Sequence, residues 1–239
     1  MDTFNQGAQM HQSSLVASLS QDRKVAFYRK TYTHLALAVL LFILVEMVFF
    51  QIPAVVNFAL SLTQGWLWLA MLGGFMFATS YAEKMALNSN DKNKQYLALL
   101  IYVIAEAFIF IPLLFIAMSY AADGGAAILS QAAIMTVSLF AGLSGIALIT
   151  KKDFSFLKSI LSIGFFVAIG LIVAGTLFGF NLGLWFSVGM VILASGSILY
   201  QTSNMVHKYE EDQFVAASLG LFASLMLLFW YILSILSRD

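Results

Sequence analysis

Two carboxyl groups interrupt long apolar stretches: Glu46 lies in the run 32–52 and Glu106 in the run 96–118. An acidic side chain at membrane depth is costly and marks a functional position by default. Removal from water disfavours the charged form of a carboxyl, so either residue could respond to protons inside a cavity. The competing account is a neutral carboxyl hydrogen-bonded to a neighbouring helix. Glu106 lies six residues before Pro112, and a proline inside a helix leaves a carbonyl without its donor. A polar stripe follows at Ser197, Gln201, Asn204 and Lys208, whose spacing of four, three and four puts them on one helical face. That face could be one wall of a cytoplasm-facing cavity or gate, or interhelical glue. Ala216, Gly220 and Ser224 form a small-xxx-small face that lets another helix approach closely. His34 and His207 lie near the ends of their apolar runs, where imidazole could sense pH or simply sit at the interface.

The elements that must position these residues are set by composition. The chain has 239 residues, of which 61% are apolar and only 10% charged. A soluble domain carries about a quarter charged residues. Mean hydropathy is +0.90. This excludes an ordinary soluble enzyme and a disordered chain. A net charge of zero offers no basic face for nucleic acid. The absence of cysteine excludes disulfides and thiolate metal sites. What remains is a polytopic membrane protein.

Crossing about 30 Å of hydrocarbon takes roughly 20 apolar residues as a helix. Seven stretches qualify: 32–52, 62–82, 96–118, 127–149, 157–178, 183–206 and 213–236. Their continuous apolar character predicts helices, since barrel strands alternate. Of the 12 Lys and Arg residues, all but Arg238 fall in the N-terminal region or in alternate loops. The positive-inside bias predicts a cytoplasmic N-terminus and an external C-terminus. No apolar core in residues 1–31 resembles a cleavable signal. The first 26 residues are expected to be a mobile cytoplasmic tail ahead of a seven-helix domain, 27–239. Val25, Tyr28 and Tyr32 recur at helical spacing and allow a short amphipathic helix before the first span. Pro53 is expected to end that span, and Pro112 to kink the third.

Three enzyme-like readings can be weighed. Gly142-Leu143-Ser144-Gly145 resembles the serine motif of rhomboid intramembrane proteases, with His207 at a similar depth. A Ser–His pair would need hydrogen-bond reach and an oxyanion hole. Close packing through Gly and Ser explains the motif without catalysis. A retinal protein needs a Schiff-base lysine, and the last span has none. An ATP-driven pump needs a phosphate loop, and none is present.

Four motifs carry a family resemblance. They are Arg29-Lys30-Thr31-Tyr32, the loop Thr150-Lys151-Lys152-Asp153-Phe154-Ser155-Phe156-Leu157, the segment Gln201-Thr202-Ser203-Asn204-Met205-Val206-His207, and the end Leu233-Ser234-Ile235-Leu236-Ser237-Arg238-Asp239. Over about residues 27–239 the chain resembles the Bax inhibitor-1 family, and within it the bacterial YccA-like branch. The resemblance implies an all-α membrane fold of seven helices around a central last helix, in the inner membrane of a Gram-negative cell. It implies a non-enzymatic protein without cofactor or metal. It implies two roles: modulating membrane-protein quality control through the membrane protease FtsH, or a pH-sensitive calcium leak answering to protons. The calcium-leak members sense protons with two Asp residues. Those positions fall here on Gln201 and Gly220, neither of which can ionise, and an Arg that latches the pair has no counterpart in span two. Glu106 with Pro112 resembles a Glu-x5-Pro pattern of bacterial members. Glu106, Glu46, Ser197, Gln201 and Asn204 are therefore the expected proton-sensing or pore residues. Gly220 and Pro112 are the expected gate or packing residues.

Overall fold

The structure, a computed structural model, describes residues 14–89, 91–119 and 125–238. Among these, eight α-helices follow a 3-10 turn at Val16–Ser18, and no strand forms. They are α1 (Gln21–Phe50), α2 (Pro53–Ser61), α3 (Trp66–Asn88), α4 (Lys92–Ser119), α5 (Gly125–Thr150), α6 (Leu157–Phe178), α7 (Gly183–His207) and α8 (Phe214–Leu236). Six are long and apolar enough to cross a membrane, or up to seven if α2 and α3, bent by 112°, form one span. From the third stretch onward, the expected limits agree with the helix ends to within a few residues.

The first two stretches depart from expectation. α1 begins at Gln21, eleven residues before the expected span, so Val25, Tyr28 and Tyr32 belong to one unbroken helix. At 1.5 Å per residue α1 is about 45 Å long, more than the hydrocarbon needs. Its buried residues are Phe27, Thr31, Leu35, Ala38, Phe42 and Glu46. Their spacing of four, four, three, four and four is the core-facing stripe of a helix. After α1, Pro53 does more than end the span. It opens α2, where the missing N–H costs nothing. Pro112 stays inside a continuous α4.

The expected mobile tail is divided. Residues 1–13 lie outside the described residues. From Ser14 the chain is docked: Val16 N–H donates to Tyr209 O at 2.9 Å, and Glu211 N–H donates to Ser14 O at 3.1 Å. Val16 is fully buried and Leu19 nearly so. The Arg23 guanidinium pairs with the Glu211 carboxylate, its Nε donating to Oε1 at 3.0 Å. This segment therefore bonds to the α7–α8 loop and does not stay free.

α8 packs against α1, α3, α4, α5 and α7. Its mean apolarity is the highest of the helices, and a helix apolar all round can be surrounded by others. Phe222 meets Phe42 and Tyr102 edge-on, with ring centroids 6.4 and 6.1 Å apart. Phe110 of α4 stacks on Phe229 and meets Trp230 edge-on. Among lipid tails such packing, not water exclusion, holds helices together.

Candidate functional site: the α7–α8 seam and the buried carboxyls

The polar stripe of α7 lies along its seam with α8. Ser197 Oγ and Ser224 Oγ share a hydrogen bond of 2.8 Å, and Ser224 Oγ also donates to Gly220 O at 3.1 Å. One turn further, the Gln201 amide lies on Gly220. A Cβ there would stand 3.0 Å from Gln201 Oε1 and 3.1 Å from Cδ. The absence of a side chain at 220 is thus what admits the Gln201 amide. Asn204 is buried, and its carbonyl accepts from Lys208 N–H and Tyr209 N–H at the end of α7. Lys208 leaves the seam, its ammonium 5.4 Å from the Tyr200 ring centre. Ser197, Gln201 and Gly220 are occupied in joining α7 to α8. That geometry fits interhelical glue better than a cavity wall.

Two of the sequence motifs prove to be one contact. Phe154 N–H donates to Ser203 Oγ at 2.9 Å, and Ser203 Oγ donates to Lys152 O at 3.3 Å. The loop after α5 is therefore bound to the end of α7. In that loop Ser155 N–H donates to Asp153 Oδ1 at 2.9 Å, and Ser155 Oγ donates to the same oxygen. These bonds hold the Asp153 carboxyl below its ordinary range, because donors favour the charged form. The sign follows: their stabilisation is complete above the unfolded value near 3.8 and is lost as pH falls through the lower folded value. Ser155→Ala should move the Asp153 titration upward, as read by NMR of the side-chain carboxyl carbon.

The Ser–His pair is not brought together. Ser144 on α5 accepts from Thr202 Oγ1 at 3.4 Å, while His207 Nδ1 bonds Ser203 O of its own helix at 2.9 Å. His34 bonds Lys30 O at 2.7 Å and Tyr96 OH at 3.1 Å, and it packs on Tyr96 and Phe214. Both imidazoles of the described residues are thus engaged in hydrogen bonds.

Both carboxyls point inward. Glu106 is 5% exposed. It shares a face of α4 with Tyr102 and Phe110, one turn away on either side, and both of those meet α8 aromatics. Glu46 is 6% exposed, and among the described residues neither carboxyl oxygen has a hydrogen-bond partner. It lines a cavity of about 560 Å³ between α1, α4, α5 and α8.

Sequence reading missed the cluster at the opposite end of the bundle. The Lys92 ammonium donates to Asp212 O and lies 4.6 Å from the Phe214 ring centre, with Lys30 5.4 Å away on the same ring. Nothing in the spacing of residues 30, 92, 212 and 214 signals their meeting. Among the described residues, no group of His, Asp and Glu could hold a metal ion.

The family described as inhibitor of apoptosis-promoting Bax1 matches residues 24–239. The chain belongs to the Bax inhibitor-1 family. Among its relatives, an uncharacterized protein of Pseudomonas aeruginosa is 38% identical over 112 residues, 46% of this chain and 50% of that protein. The modulator of FtsH protease YccA of Escherichia coli is 34% identical over 125 residues, 51% of this chain and 57% of that protein. Mouse protein lifeguard 4 is 27% identical over 244 residues, 98% of this chain and 92% of that protein. The chain spans about half the length of the Pseudomonas aeruginosa and Escherichia coli relatives. The Bax inhibitor-1 match begins at Lys24 and takes in nearly all of α1 as well as α8. The long first helix and the last helix both belong to the shared fold.

Proposed function

We propose that this chain is a non-enzymatic, seven-span protein of the bacterial inner membrane that modulates membrane-protein quality control through FtsH. The observation that carries this reading is its similarity to YccA of Escherichia coli, named a modulator of FtsH protease. In this reading the α2–α3 pair is one broken span, the N-terminus is cytoplasmic and the C-terminus periplasmic. The charge distribution supports that orientation. Arg23, Lys30 and Lys92 all bond or pack onto the 208–214 region, while Arg238 donates to Ser187 at the other end. FtsH would grip the residues ahead of the docked Ser14. Deletion of residues 2–13 should leave the described fold intact and abolish FtsH-dependent turnover and co-purification. Unchanged turnover and pull-down would sink this reading.

A second reading is a cation or calcium leak gated by protonation. It rests on the burial of Glu106 inside the bundle, facing the aromatic contacts of α8. Replacement of the family's two sensor Asp residues by Gln201 and Gly220 removes the paired-carboxyl device, which would share one proton. Glu106 is then the group left to respond. Calcium flux into liposomes should vary with pH, and Glu106→Gln should flatten that profile. An unaltered profile would remove Glu106 from the mechanism.

A further inference from the structure

Among the described residues lining the cavity between α1, α4, α5 and α8, one polar group has no hydrogen-bond partner. Ser130 and Thr136 also line it, but each hydroxyl donates within its own helix, to Ala127 O at 2.9 Å and to Ala132 O at 2.7 Å. Glu46 contributes two buried oxygens with no partner among the described residues. A buried carboxyl without a partner carries its full desolvation penalty. The chain's own cations do not relieve it. Arg23, Lys30 and Lys92 gather at the end of the bundle where α1 begins, and Arg238 is bonded to Ser187 of α7. Glu46 lies about 24 Å along α1 from Lys30, at 1.5 Å per residue.

The cavity also has a mouth. Ile43, Met47 and Val137 line it and are 48%, 57% and 59% exposed on the outer face of the bundle. In a membrane that face is turned to lipid, so a ligand enters from the bilayer. The volume of about 560 Å³ falls within the range of small-molecule sites.

We propose that this cavity binds a single-chain cationic amphiphile, whose ammonium group pairs with the Glu46 carboxylate while its hydrocarbon chain lies among Phe42, Leu129 and Phe229. Charge complementarity selects an ammonium over other polar heads. It neutralises the carboxylate and offers N–H donors to both free oxygens. The apolar walls select a chain over a free polyamine or a hydrated metal ion, neither of which sheds its water for such a lining.

The test uses the full chain in phosphatidylcholine nanodiscs, with a diazirine-bearing alkylamine as photolabel. Labelling is expected on peptides of α1, α5 and α8 that line the cavity, suppressed by excess dodecylamine and far less by dodecanol. Glu46→Gln, which keeps the shape, should weaken dodecylamine competition about tenfold or more. Ala133→Trp, which fills the cavity and keeps the carboxyl, should abolish labelling. Equal competition by dodecanol would show that any lipid chain occupies the space and would overturn the proposal. So would labelling that neither substitution changes.

Discussion

Val16→Asp should release the N-terminal segment from the bundle. Val16 is fully buried, and its backbone N–H is bonded to Tyr209 O. An unpaired charge forced into such a site costs about 3–5 kcal/mol. The docked segment is short. It is held by two backbone hydrogen bonds to the 209–211 loop, the side chains of Val16 and Leu19, and the exposed Arg23–Glu211 pair. A net backbone hydrogen bond contributes about 1 kcal/mol, so the charge outweighs the docking and the segment opens while the helices stay folded. Limited proteolysis of proteoliposomes should then cut within residues 14–20 at least about tenfold faster. Val16→Ala, which only removes apolar contact, should have a smaller effect. If FtsH grips the preceding residues, release of residues 14–20 should also speed FtsH-dependent turnover. Equal cleavage of Val16→Asp and the parent chain would mean that this contact does not hold the segment.

Phe222→Ala should be the most damaging single truncation in the bundle. Phe222 is fully buried and its ring meets Phe42 of α1 and Tyr102 of α4. Burial of such a ring is largely a matter of packing, because lipid is as apolar as the protein interior. A cavity lined on several sides cannot collapse, and Phe→Ala in such places costs about 3–5 kcal/mol. Reversible unfolding in bicelles, followed by steric trapping, would read the loss. Phe166→Ala on α6 is the control, since Phe166 is 74% exposed and lipid refills its place. Its effect should stay within about 0.5 kcal/mol. A similar loss for both substitutions would mean that α8 is not the packing centre.

Much of the fold was legible because membrane insertion leaves a one-dimensional record. A run long enough to cross hydrocarbon must satisfy its backbone as a helix, so α4 to α8 followed from apolar length alone. Family membership was legible in the motifs, and Phe154, Lys152 and Ser203 show why two of them go together: they bond to one another across 49 and 51 positions. The break at α2 was less legible, since Pro53 reads equally as the end of one helix or the first residue of the next. The docked segment was hidden for a different reason. Its few apolar side chains, Val16 and Leu19, are too sparse for a periodic pattern, and its backbone partners lie near the other end of the chain.

By itself the sequence determined that this protein lives in a membrane, roughly where its helices begin and end, which loops carry its positive charge, and which two carboxyls are out of place. Those properties belong to single segments and to the cost of burying charge. Only the tertiary structure decided what each polar residue faces. It put Gln201 against Gly220, gave Ser197 to Ser224, separated Ser144 from His207, and left Glu46 unpartnered at a cavity open toward lipid. A helical period fixes which residues share a face, but which helix or space that face meets depends on how α1, α4, α5, α7 and α8 pack around one another.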